Sequence, residues 1–232
     1  MFHVNRSLGY SGISLRFQQP SNLNMPVYEV VQSPISEVGL KDRTLLQPVV
    51  DLHTATDGCN GMSFGTTEED PSIGWMFISW DSYEHHKALI DSIIDNPAYS
   101  TLTDNLNTFW AKGPEGVSIV HATFDQDPTA ALTAPCTEIV SLTLREGKTK
   151  DDLYAALVAF RNAGMEKEKG VHPPLACGQT REDPNKFFLV VGWDSSKAHQ
   201  EVVSNEIYQP YVGLLGQTAD MQVVHVSLKK HN

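Results

Sequence analysis

The sequence predicts an α+β fold: two tandem βαββαβ repeats whose antiparallel sheets pack face to face into a barrel with the helices outside. Three observations predict it. The first is an internal repeat, in which Glu69-Asp70-Pro71, an apolar strand ending Trp80-Asp81-Ser82, and His86 return as Glu182-Asp183-Pro184, Trp193-Asp194-Ser195 and His199. The separations 182 − 69, 193 − 80 and 199 − 86 are each 113, and Gly65 and Thr67 match Gly178 and Thr180 at the same distance. The second is hydrophobic periodicity that switches between two and 3.6 residues in the same order in both halves. The third is size: 232 residues with 41 % hydrophobic side chains can bury one large core or two smaller ones.

The elements follow in order. Tyr28-Glu29-Val30-Val31 aligns with Thr137-Glu138-Ile139-Val140, at 138 − 29 = 109, and both read as first strands. In the second half, Glu138 to Leu144 alternates as a strand. Thr149 and Asp152 then form a capping-box pattern before a helix with the stripe Leu153, Leu157 and Phe160, which Gly164 ends. Strands near Leu175 to Thr180 and Phe187 to Asp194, a helix from Ser196, and a strand from Met221 to Leu228 complete that half. The first half copies it, with strands near Val27 to Gln32, Gly61 to Thr67, Ile73 to Trp80 and Val117 to Phe124. Its first helix is expected at about Thr44 to His53, broken by Pro48. Val120-His121 matches Val224-His225, at 225 − 121 = 104; the drift in spacing lies in loops, which absorb insertions cheaply. Residues 1–25 read as an N-terminal tail, 26–126 as the first repeat and 136–230 as the second.

A βαββαβ unit carries both helices on one face of its sheet and leaves the other face bare, so two units in one chain can cover each other. The apolar strands ending Trp80-Asp81-Ser82 and Trp193-Asp194-Ser195, each followed by an amphipathic helix, resemble the dimeric α/β barrel superfamily of ferredoxin-like domains. Within it the chain is similar to the antibiotic-biosynthesis-monooxygenase-like and stress-responsive barrels, as a fused pseudo-dimer over residues 26 to 230. The resemblance implies a barrel lumen that takes a small, largely apolar or aromatic organic molecule. It also implies chemistry that needs no cofactor, such as a monooxygenase, cyclase or lyase step. Many members carry a helix histidine one turn later than here, where Leu89 and Val202 stand, so no family role transfers to His86 or His199.

His86 falls on a helix stripe with Leu89, Ile90, Ile93 and Ile94, and His199 with Val202 and Val203. They read either as packed core histidines or as pocket residues. Alternation puts His121 with Val117, Ile119 and Thr123, and His225 with Met221, Val223 and Ser227. These faces are more mixed than their opposites, and a binding lumen carries a few polar groups in an apolar lining. His121 and His225 are therefore expected to point inward beside Tyr28, Gln32, Ser141 and Thr143, as candidate general bases or as structural histidines bonded across strands. Trp80 and Trp193 read as packing the turn before the helix, or as a stacking wall for an aromatic ligand.

The net charge of −11 and the absence of a basic stripe argue against nucleic acid and anionic membrane as partners. No apolar run approaches the ~20 residues of a membrane span. Three distant cysteines suggest neither a disulfide framework nor a clustered zinc site. No metal and no cofactor are expected; heme stays open without support, since the Asn, Trp and His set of heme-degrading relatives cannot be placed here. The expected partner is a small-molecule ligand, with the chain a monomeric pseudo-dimer or a homodimer. A cytoplasmic location is expected, with a mitochondrial one suggested by an N-terminal segment that holds Arg6 and Arg16 and no acid. Set against the enzyme is a second class of function: a non-catalytic barrel that sequesters a ligand or serves a stress response.

Overall fold

The structure is a computed structural model and describes residues 25–113 and 116–231; the tail expected for residues 1–25 lies, but for Met25, outside them. The first repeat comprises β1 (Val27–Pro34), α1 (Glu37–Lys41), α2 (Gln47–Thr54), β2 (Cys59–Thr66), β3 (Ile73–Trp80), α3 (Tyr83–Ile93), α4 (Ser100–Phe109) and β4 (Ser118–Phe124). A short linker helix, α5 (Thr129–Leu132), leads to β5 (Cys136–Leu144), α6 (Lys150–Asn162), β6 (Val171–Thr180), β7 (Lys186–Trp193), α7 (Ser196–Val203), α8 (Gln209–Thr218), β8 (Ala219–Val226) and β9 (Lys229–His231). The capping box at α6 forms as expected, Thr149 accepting from the Asp152 N–H while the Asp152 carboxylate accepts in return. Pro48 does not break a helix. It sits in the first turn of α2, where its missing N–H costs nothing, and a 3-10 turn over Arg43–Leu46 leads directly into that helix.

Every strand pairing is antiparallel, in the order β8-β5-β7-β6-β4-β1-β3-β2-β9. Each repeat supplies four strands, and two seams join them. At one seam Ala122 pairs with Thr180 and Phe124 with Gly178. At the other Thr67 pairs with Val226, while β9 extends the chain along β2. The seams are related by the repeat itself: 67 + 113 is 180 and 122 + 104 is 226. With both seams made, the sheet closes on itself.

Three apolar layers result. Val31, Met76, Ile78 and Trp80 pack under α2, α3 and α4, and Val140, Leu189, Val191 and Trp193 pack under α6, α7 and α8. The third layer fills the lumen with residues of both repeats, among them Tyr28, Val30, Phe77, Ile139, Val190 and Val226. The linker closes one mouth. Ala131 and Leu132 belong to the lumen core, Thr137 donates to the Ala131 carbonyl at 2.7 Å, and a Cβ on Gly192 would lie 2.8 Å from that of Ala134. This is the end where β1 and β5 begin.

Candidate functional site

Two arrangements stand out: a cavity in the other mouth of the barrel and a mirrored pair of polar chains in its wall. The cavity, about 320 Å³, is lined where β1 and β5 end and where β4 and β8 begin. Gln32, Ser118, Ser141, Thr143 and Gln222 supply neutral hydrogen-bonding groups. Trp75 and Phe188, equivalent positions in the two repeats, meet edge to face there at 6.0 Å. Among the described residues Lys186 and Asp220 are its only ionisable lining groups, and Asp220 is paired with Arg145 at 2.7 Å.

The polar chains lie on the opposite side of the strands. In the first, Glu182 Oε1 lies 2.6 Å from His121 Nδ1 while Oε2 accepts from the His121 backbone N–H at 2.8 Å. His121 Nε2 lies 2.7 Å from His86 Nδ1, and His86 Nε2 3.3 Å from Glu29. Trp80 Nε1 donates to Glu29 at 3.1 Å, and the His86 ring stacks on the indole at 5.1 Å. The second chain repeats the order of partners, although its histidine and indole rings are tilted at 46° and Glu138 meets His199 through Oε1 and Trp193 through Oε2. Glu69 Oε1 lies 2.6 Å from His225 Nδ1, His225 Nε2 2.8 Å from His199 Nδ1, and His199 Nε2 3.4 Å from Glu138, which accepts from Trp193 at 2.8 Å.

The repeated hairpin explains the arrangement. Thr67 and Thr180 donate to the Asp70 and Asp183 carbonyls, folding identical turns. Gly65 lets the seam close, since a Cβ there would meet the Ser227 carbonyl oxygen at 2.6 Å. The turns then place Glu69 and Glu182 beside the histidine of the other repeat, so each chain is completed across the seam.

Burial sets the charge states. It pushes Glu29 and Glu138 up to about 7, against the lowering effect of the tryptophan N–H, and pushes His86 and His199 down to about 4, with a nearby histidine adding to the effect. Partial burial also raises Glu69 and Glu182, but their hydrogen bonds to the histidines outweigh it and hold both below the usual carboxylate range.

The structure thus separates the residues that the sequence groups together. Gln32, Ser141 and Thr143 line the cavity, whereas Tyr28 faces the lumen deeper down, packed edge to face on Phe124 at 5.4 Å. His121 and His225 do not point inward. They lie one register away, on the helix-covered face, together with His86, His199, Trp80 and Trp193, all outside the cavity. The mixed character of that face comes from a buried polar network, not from a ligand-lined lumen. The four glutamates of the chains enter the sequence reading only as markers of the repeat, not as site residues. Their signal was present, as Glu29 and Glu138 align within apolar strands and Glu69 and Glu182 belong to the repeated hairpin.

No family model matches the chain, and no curated protein matches it. Solved structures do. A protein from Lactobacillus acidophilus NCFM assigned as a monooxygenase is 10 % identical with a TM-score of 0.58, the match covering 90 % of this chain and 95 % of that one. A second such protein, from Fusobacterium nucleatum subsp. nucleatum, is 11 % identical over 90 % and 94 %, with a TM-score of 0.59. An anthrone oxidase-like protein is 10 % identical over the same shares, with a TM-score of 0.61. The chain has the tandem α/β-barrel fold. At these identities the likeness concerns the fold alone. Within this barrel, both ring nitrogens of each chain histidine have partners, which leaves none of the four free to ligate a heme iron. Among the described residues no cluster of His, Cys, Asp and Glu fits a metal ion, and no helix is long and apolar enough to cross a membrane.

Proposed function

We propose that the barrel binds a small organic molecule of mixed polarity in its open mouth, and that binding, not histidine-driven catalysis, is its activity. The observation that carries this reading is the cavity: about 320 Å³, with neutral hydrogen-bonding side chains from four strands around an aromatic pair. That volume is at the lower end of the roughly 300–1,000 Å³ common for ligand pockets. The plugged opposite mouth supports a single entrance. Proton abstraction by His121 or His225 has no support, because neither reaches the lumen and both have their ring nitrogens engaged. Oxygenase chemistry, suggested by the assignments of the structural neighbours, would have, among the described residues, Lys186 and Asp220 at the rim as its ionisable acid or base.

The test is a titration with 2-naphthol, followed by tryptophan fluorescence. Saturable quenching is expected, with a Kd of about 10 µM to 1 mM for so small a ligand. Ser141→Trp, which fills the cavity from the lumen face of β5, is expected to abolish it while leaving the unfolding midpoint in place. Saturable quenching that survives Ser141→Trp and Gln222→Trp would refute the assignment of the cavity.

A further inference from the structure

The two wall chains obey a proton count that their geometry imposes. Each contains three links between titratable groups: Glu182 to His121, His121 to His86 and His86 to Glu29, or Glu69 to His225, His225 to His199 and His199 to Glu138. A link between two lone pairs, or between a lone pair and a carboxylate, repels, so each link needs at least one proton. Two neutral imidazoles bring two. The third proton has to be retained, on the buried glutamate or as an imidazolium. Lost, it leaves one link empty, and that link is the longest, at 3.3 and 3.4 Å, which ties the helix histidine to the first strand.

We propose that each chain is a proton-operated clasp, holding α3 or α7 on the sheet while it keeps its third proton and releasing that helix when the proton leaves. The groups facing the first chain fit this role. His53 from α2 lies 5.5 Å from Trp80 and is kept neutral by burial, which lowers it. Burial likewise raises the Cys59 thiol of β2, so it brings no charge. Tyr83 of α3 packs on His121 at 4.8 Å, and Arg181 from the hairpin lies 4.0 Å over the tyrosine ring. Around the second chain stand the Cys136 thiol, raised by burial and by Glu68, then Glu68 itself and Glu69. Neither set contains a group that would replace the missing proton.

The pH direction follows from Glu29 and Glu138, raised from 4.5 to about 7. Such a group holds the helix fully below 4.5 and progressively less as pH rises through 7. His86 and His199, lowered from 6.5 to about 4, act oppositely, strengthening the clasp as pH rises from 4 to 6.5. The variant that isolates the glutamates is Glu29→Gln with Glu138→Gln. In Glu138→Gln the carboxamide supplies a permanent N–H to His199 from the Oε1 position and keeps an oxygen for the Trp193 N–H at Oε2; in Glu29→Gln, where Oε2 meets both His86 and Trp80, the amide has to turn so that its nitrogen faces His86 and its oxygen the indole. Native-state hydrogen exchange of the full chain, corrected for intrinsic rates, reads the result. Opening of α3 and α7 in the wild type, relative to the double variant, is expected to rise about tenfold between pH 6 and 8.5, with the other helices unchanged. If wild type and variant keep a constant ratio over that range, or if the change falls outside α3 and α7, the clasp is refuted. Should the variant fail to fold, imidazole nitrogen shifts of the wild-type protein decide: His86 and His199 must titrate together with the helix opening, and flat shifts from pH 6 to 8.5 overturn the proposal.

Discussion

Removing the glutamates that cross the seams tests the joint between the repeats. In Glu182→Ala the His121 ring and backbone N–H groups lose acceptors at 2.6 and 2.8 Å. A hydrogen bond to a charged group is worth about 1.5–3 kcal/mol. The Glu182 side chain is 37 % exposed, however, and Glu69 45 %, so solvent screening reduces this to about 1–2 kcal/mol for each variant. The two sites share no partner, and Glu69→Ala with Glu182→Ala is therefore expected to cost about 2–4 kcal/mol, close to the sum of the single changes. Urea unfolding at pH 6.5 measures it, with Lys87→Ala, which breaks an exposed i,i+4 pair, as a control expected to leave the midpoint nearly unchanged. Both glutamates are held below the usual carboxylate range, so their stabilisation is present above about 4.5 and fades as pH falls through the folded value. Wild type and double variant should thus converge as the pH is lowered below 4.5. A double variant within about 0.5 kcal/mol of wild type at pH 6.5, or a gap that widens on acidification, would refute the reasoning.

Other outcomes follow from the same geometry. Trp193→Phe removes the indole N–H from the buried Glu138 and is expected to cost about 1–3 kcal/mol in urea unfolding, a loss that Glu138→Gln in the same background should partly reverse. Gly65→Ala drives a methyl onto the Ser227 carbonyl at 2.6 Å, whereas Gly178→Ala meets only the Phe124 ring at 3.0 Å. The first should cost about 2–3 kcal/mol by chemical denaturation and the second clearly less. Arg161→Met strips Asp125 of its 3.0 Å partner and the Leu175 carbonyl of a donor. A loss of about 2–4 kcal/mol is expected, and no change in the unfolding midpoint would argue that the linker does not need this anchor.

The sequence alone determined the duplication, the order of the elements and the fold class, because a repeated pattern of strand alternation, helix stripes and caps is local and each copy checks the other. It also held the hairpin motif, since Gly65, Thr67 and Glu69 and their partners 113 residues on act through short-range turn chemistry. Only the tertiary structure decided which face of β4 and β8 turns inward. One residue of register reverses every side chain of a strand, and a polar residue marks either a solvated lumen or a satisfied network in the wall, which strand alternation cannot tell apart. His121 and His225 went to the wall because Glu182 and Glu69, more than sixty and one hundred and fifty residues away in the chain, close over them at the seams, and contacts of that kind exist only once both sheets have met.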